Sequence, residues 1–573
     1  MNKYFFIILS IIILFFSCNP DDEKYKTSYY NYSVKRPDIE NYKVINVQKN
    51  YDYEIADIRI DDLSYDNVYF IITTVNSTKS LYKLNKDTQN IVSLSNTIKD
   101  KEYISKFNEN PFAYIDTKDN VETETNVETF DNKLNSSNIL KNSIAVGDQR
   151  IFYDKDNKKV NATCRYGKTI NGITLNIWVE NKYWYTTPDN TNRVKNSINQ
   201  NMLNKLADKF LNNNKEDIYH WVSNVFGKEW GDHNFNYMIP SSEAGNINIL
   251  LYDIDNYENS SNLSTVMVGF FYTRDSFKKK MFATSNEMLM FYVNASYFSD
   301  RIGVLWDIND RYPSEIISVL GHEFQHMINF YQKAIKTGTG KSSDTWLNEM
   351  CSMVTEDILS NKLNISGPRG INGNIPSSIP NNTEGRLPLF NRYNSEDLTK
   401  WLEDDDVLRS YSINYAFGAY IARNFGGIEL FNKIVTENSD TNYMAIVNSV
   451  NSLNGTSETF LSLLQKWGIA VILSDFVITD NSIKYRYNNG NNWFKSTFNS
   501  YTYNLGSVNL YDYIDHYNKK GPYFIDARNS IDIEVKTNNN SNCYILVEEK
   551  INGSLYKKVN LSRNQYITIL LKR

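Results

Sequence analysis

Hydrophobic and polar positions divide the chain into stretches of different period. Short β-branched and aromatic runs, such as Asn67–Thr74 and Ser80–Leu84, alternate with Asn, Asp and Lys, so residues 41–118 read as a β-rich module. Positions 119–140 mix Glu, Thr and Asn with almost no apolar anchor, the pattern of an acidic polar linker. Strand signals resume at Ile173–Val179, Ile247–Asp253 and Met288–Ala295, and a helix-like stretch from about Val194 to Phe226 interrupts them. Helical periodicity dominates from Pro313 to about Asp475. Beyond residue 490, alternating runs with Asn and Gly turns return at Ile531–Val535, Cys543–Glu548 and Gln565–Leu571, predicting a β-sandwich-like domain over 490–573. The expected class is α+β: a central domain over 141–480 with a mixed sheet lobe and a helical lobe, flanked by a β-rich domain at each end.

The first residues follow another rule. Lys3 precedes an apolar run from Tyr4 to Phe16, and thirteen helical residues reach roughly two-thirds of a bilayer core. The run is too short to span, and its positive start and small Ser17 describe an export signal over 1–17. Leu14-Phe15-Phe16-Ser17-Cys18 resembles the lipobox of bacterial lipoprotein precursors. That resemblance implies acylation of Cys18, a polar tether over 18–40 and a lipid anchor holding the protein in the cell envelope.

With 61 basic and 66 acidic residues the net charge is −5, which disfavours nucleic acid as a partner. Beyond Cys18 only Cys164, Cys351 and Cys543 remain, so at most one disulfide forms and packing must supply stability. Only five His occur in 573 residues, which makes any cluster of them informative.

Two of the five stand in His322-Glu323-Phe324-Gln325-His326, the HExxH pattern. Its chemistry needs a helix: residues four apart share a face, so both imidazoles reach one Zn²⁺ while the Glu meets its water. The surrounding sequence supplies that helix. Ile317, Leu320, Phe324, Met327, Ile328 and Tyr331 fall on one stripe, with His322 and His326 nearly opposite. Chance placement yields HExxH in about two such chains per thousand.

A catalytic zinc needs a third protein ligand. Metzincins would place Gly and His where this chain has Asn329 and Gln332, which excludes them. A downstream helix offers Glu349 and Glu356 on one face, apart from a buried stripe of Trp346, Leu347, Met350, Val354 and Ile358. Trp346-Leu347-Asn348-Glu349 resembles the segment that carries the third ligand in gluzincins, both thermolysin-like proteases and alanyl-aminopeptidase-like enzymes. The whole run from His322 through the second helix is similar to the hyicolysin family of secreted neutral metallopeptidases, over about Val146 to Gly427. The resemblance implies a gluzincin-type zincin with one Zn²⁺ on His322, His326 and Glu349 and with Glu323 as general base. Thermolysin-like enzymes carry an Asp where this chain has Met353, so the partner of the first His is assigned to Glu356 or Ser352.

Tyr415-x-x-Gly418 resembles the aminopeptidase helix whose Tyr stabilises the oxyanion, which makes Tyr415 the expected donor and His516 the fallback. His220 and His233 read as structural or surface residues. Gly338–Ser342 imitates the end of a phosphate-binding loop but lacks its first Gly and follows a helix, so no nucleotide site is expected. Cys351 reads as a small buried hydrophobe, and Asp253 with Asp255 is a weak Ca²⁺ candidate. The implied activity is a zinc endopeptidase acting on proteins or peptides at the cell surface. Its alternatives are an aminopeptidase, for which Ser285-Asn286-Glu287 is a loose amine anchor, and a vestigial zincin serving as an adhesin.

Overall fold

The computed structural model describes residues 25–34, 41–75, 108–114, 144–185, 197–254, 267–299, 305–402 and 406–573. Residues 1–17 read as an export signal, Cys18, residues 119–140 read as a linker, the run Ser80–Leu84 and Asp255 lie outside the described residues. Among the described residues, no helix is long and apolar enough to cross a membrane.

The chain forms two compact bodies. The smaller gathers the described residues up to 72 together with 526–536 and 545–573. Its strand Glu54–Thr74 lies between Ser541–Leu561 and Gln565–Lys572, and Tyr42–Asn46 pairs with the latter in antiparallel fashion. This corrects the domain boundaries read from the sequence. The β-rich segments at the two ends of the chain share one seven-stranded sheet instead of building separate domains over 41–118 and 490–573. Lys26–Ser33, read from the sequence as part of a tether over 18–40, is a strand parallel to Glu54–Thr74. Residues 108–114 and 490–525 go with the larger body.

The larger body holds a six-stranded sheet. Its strands are β1 (Gln149–Tyr153), β2 (Lys159–Ile170), β3 (Ile173–Glu180), β4 (Asn246–Tyr252), β5 (Gly269–Phe271) and β6 (Leu289–Asn294), in the order β1-β2-β3-β4-β6-β5. β3, β4 and β6 run parallel, whereas β5 is an antiparallel edge strand. Every residue of β6 is buried, as a central strand covered on both faces requires. Leu250, Tyr252, Met290 and Tyr292 join one cluster with Phe152 and Trp178. On the opposite face Phe291 meets Phe210, which in turn meets Phe324.

The expected helical stretch before β4 is two helices, α1 (Gln200–Phe210) and α2 (Ile218–Phe226), each opened by a side-chain cap from Asn199 or Asp217. The helical lobe follows with α3 (Arg311–Phe330), α4 (Thr345–Leu363), α5 (Leu387–Tyr393) and α6 (Val407–Asn424). Close helix approach depends on missing side chains. A Cβ on Gly321 of α3 would lie 2.1 Å from Leu359 Cδ1 of α4, and one on Gly418 of α6 would lie 2.8 Å from Val354 Cγ2. Gly418 therefore lies against α4. Cys164, Cys351 and Cys543 are all buried free thiols, so packing does carry this fold.

Candidate active site

The stripe of α3 predicted from the sequence packs on aromatic rings: Phe324 stacks with Tyr219 at 5.2 Å and meets Phe210 at 5.4 Å. That contact fixes the helix rotation and turns His322 and His326 toward α4, their ring centroids 4.8 Å apart. On α4, Trp346, Leu347 and Met350 are buried and set the register that brings Glu349 to the two imidazoles. Glu349 Oε2 lies 3.1 Å from His322 Nε2 and 3.5 Å from His326 Nε2.

All three residues are buried, and one ligand atom from each lies within 4.8 Å of the others. Tetrahedral zinc with ligands at about 2.1 Å separates neighbouring ligand atoms by about 3.4 Å, so the donor set and its spacing fit a Zn²⁺ ion.

Around these three, the remaining polar atoms have defined partners. His322 Nδ1 donates to Glu356 Oε1 at 2.8 Å, and Ser318 Oγ donates to Glu356 Oε2 at 3.0 Å. This leaves Nε2 of His322 facing Glu349, the side on which a metal would bind. His326 Nδ1 lies 3.2 Å from Ser352 Oγ, whose own proton goes to Gln325 Oε1 at 2.5 Å. Both carboxylate and hydroxyl named from the sequence thus stand at the cluster, Glu356 on one His and Ser352 on the other.

Electrostatics follows from this geometry. Burial disfavours a charged His322, but its hydrogen bonds to Glu349 and Glu356 outweigh it and raise its pKa well above the usual histidine value. Burial likewise pushes against a charged Glu349, yet the charge of His326 and the bond to His322 hold its pKa down to about 2. Glu323 goes the other way. Burial raises its pKa despite the two imidazoles, and the Phe271 N–H of edge strand β5 donates to it. A carboxyl with a raised pKa beside a metal-ligand cluster suits proton transfer near neutral pH.

Tyr415 is completely buried, its hydroxyl has no hydrogen-bond partner among the described residues, and the charged groups acting on it are Asp357, Arg423 and Arg369. The tyrosine one turn earlier, Tyr411, is the one beside the cluster. Its ring centroid is 6.3 Å from that of His322, and burial followed by the charges of Glu349 and Glu323 raises its pKa well above the usual tyrosine value. Trp401 meets the Tyr411 ring edge-on at 5.0 Å, and the Arg386 guanidinium lies over it at 5.2 Å. Tyr411 and Tyr415 share a helix face, so periodicity alone could not choose between them.

Residues 322 to 411 that build this site lie inside one matched segment: residues 156–482, more than half of the chain, match the Peptidase M30 family. The chain belongs to that family. One relative is the neutral metalloprotease ShpI of Staphylococcus hyicus, 26% identical over 319 residues, which are 53% of this chain and 58% of that protein. The aligned part is therefore less than two thirds of the relative's length.

The other sequence candidates lie elsewhere. His516 is exposed and stacks on Tyr517 at 3.9 Å. His220 Nδ1 pairs with Asp217 at 2.8 Å, and His233 Nε2 bonds the Ile239 carbonyl at 3.0 Å. Burial pushes the Cys351 thiol up to about 12, the state of an inert thiol. Asp253 lies 3.5 Å from Lys182 Nζ. Asn286 is tied to Tyr153 N at 2.9 Å and to Tyr292 Oη at 2.8 Å, while Glu287 Oε1 accepts from Lys279 N at 2.9 Å.

One contact had no signal in the sequence. Asn108 Nδ2 donates to Phe271 O at 2.8 Å, and its Oδ1 accepts from Thr273 N at 2.9 Å. A single carboxamide thus satisfies two backbone groups at the outer edge of β5, the way a neighbouring strand would.

Proposed function

We propose that this M30-family chain is a zinc endopeptidase, exported and anchored in the cell envelope through a lipid on Cys18. The observation that carries the reading is the buried His322–His326–Glu349 cluster, whose ligand atoms lie within 4.8 Å of one another, with the Glu323 carboxyl adjoining it.

His322, His326 and Glu349 would hold the ion, and zinc supplies a Lewis acid that polarises the scissile carbonyl and acidifies a water. The rest is the work of the chain. Glu323, beside the cluster, takes the water's proton and returns it to the leaving amine. Tyr411, half-buried beside His322, donates its hydroxyl to the developing oxyanion. Glu356 and Ser352 fix the two imidazoles through Nδ1. An extended peptide aligns along the β5 edge, where Asn108 now occupies Phe271 O and Thr273 N in strand-like fashion and a substrate strand would displace it.

An endopeptidase is favoured over an aminopeptidase because the loose amine anchor is committed elsewhere, Asn286 to Tyr153 and Tyr292, and Glu287 to Lys279. The test is the Glu323→Gln variant. Stoichiometric zinc with loss of casein cleavage supports the mechanism, whereas cleavage at the wild-type rate sinks it. Amino-blocked and free peptides cleaved at equal rates would support the endopeptidase reading over the exopeptidase one.

A further inference from the structure

Arginines in the helical lobe follow a rule that one of them breaks. Between residues 311 and 423 the described residues include six arginines. Arg311, Arg369, Arg392, Arg409 and Arg423 each have a carboxylate within 4.0 Å, from Glu384, Asp357, Asp515, Asp406 and Asp357 respectively. Arg386 has none among the described residues. Its guanidinium is half-buried, and its one described contact is the face of Tyr411, 5.2 Å away, where no hydrogen-bond acceptor is offered.

Of the carboxylates whose charge acts on Tyr411, namely Glu349, Glu323 and Glu356, none pairs with Arg386. Glu356 is held by His322 and Ser318, and Glu349 by both imidazoles. A planar fork of donors, partly withdrawn from water and stacked on an aromatic ring, is built to grip a planar anion in bidentate fashion. Because Tyr411 also adjoins His322, an anion held there would lie beside the His322–His326–Glu349 cluster.

We propose that Arg386 recognises a carboxylate of the peptide substrate close to the scissile bond. The inference rests on the peptidase reading and adds a substrate class to it: peptides with an acidic side chain near the cleaved bond, or with a free chain terminus there. Both sources present the same group. Stacking on Tyr411 holds the guanidinium plane, so recognition needs Arg and not merely a positive charge.

The test separates binding from cleavage. A cleavage site mapped in casein supplies a parent peptide, made with Glu or Gln at each position flanking the bond and with a free or amidated carboxyl terminus. Binding is measured by calorimetry on full-length zinc-loaded protein carrying Glu323→Gln, with and without Arg386→Gln, and turnover on the Glu323 form. Should no cleavage site exist, casein-derived Glu and Gln peptide pairs serve for binding alone. We expect at least a tenfold preference for the carboxylate over its amide at one position, in Kd and in kcat/KM. Arg386→Gln brings that ratio to within twofold while the amide peptide is bound as before; Arg386→Lys keeps a reduced preference and guards against misfolding of the first variant. A preference that follows Glu assigns a side-chain subsite, and one that follows the free terminus assigns a terminal-carboxylate subsite. The proposal is overturned if the wild-type residue confers no preference in either arm, or if both arginine variants weaken carboxylate and amide peptides equally, the mark of a residue that only positions Tyr411. Carboxylate-selective binding without any cleavage would leave Arg386 in its role and overturn the peptidase reading; cleavage without selectivity would do the reverse.

Discussion

Glu356 Oε1 lies 2.8 Å from His322 Nδ1, and the second oxygen of the same carboxylate takes a proton from Ser318 at 3.0 Å. Two helices are joined at that point, because Ser318 and His322 are on α3 and Glu356 is on α4. The carboxylate therefore orients the first metal-ligand candidate and raises its basicity. Glu356→Gln keeps the shape and loses the charge, and should weaken zinc binding by about 10- to 100-fold. A competition titration against a chromophoric chelator measures this directly. Unchanged affinity would reduce Glu356 to a helix-surface carboxylate that happens to lie nearby.

Tyr411 and Tyr415 make a matched pair for mutation. Removing the Tyr411 hydroxyl should lower kcat by about 10²- to 10³-fold with KM little altered, the behaviour of an interaction made chiefly in the transition state. Tyr415→Phe deletes a buried hydroxyl that has no partner, so activity should persist and stability should stay level or rise. Steady-state kinetics on the two Phe variants decides between them. A large kcat loss in Tyr415→Phe with none in Tyr411→Phe would return the oxyanion role to the residue suggested by the Tyr-x-x-Gly pattern.

This pair also marks where the sequence stops being informative. The HExxH helix was legible because its chemistry and its apolar stripe are both local, and a spacing of four places His322 and His326 on one face. Glu349 needed a family resemblance, yet the face it shares with Glu356 was already visible in the period of α4. Choosing Tyr411 over Tyr415 depends on where α6 crosses α4, a tertiary contact made through Gly418 that no local pattern encodes. The same limit applies to the ends of the chain. Strands such as Glu54–Thr74 and Gln565–Lys572 were individually apparent, but their pairing spans some five hundred residues and is written only in the sheet. Asn108 at the edge of β5 carries no motif at all.

Asp357 supports α6 from below the site. Its carboxylate lies 2.9 Å from Arg423 and 4.0 Å from Arg369, all with buried side chains, while Arg423 also donates to the Gly506 carbonyl at 2.8 Å. Replacing Asp357 by Asn would strand two buried cations and should cost about 3–5 kcal/mol. Thermal or urea unfolding would register that loss. A change below about 1 kcal/mol would mean that the backbone carbonyls alone satisfy the arginines.

Asp344, at the start of α4, gives the fold a pH dependence of definite sign. Burial and then the charge of Glu109 raise its pKa from 3.8 to about 6. Between those two values the folded chain holds a proton that the unfolded chain has released, so this group's contribution to stability declines as pH rises through the window and stays low above it. The penalty at neutral pH is of the order of 2–3 kcal/mol. Asp344→Asn should therefore be more stable than the wild type at pH 7.5 and converge with it near pH 4, with urea midpoints across the range as the readout. A stability gap of constant size at every pH would show that Asp344 titrates normally, with neither burial nor Glu109 acting on it.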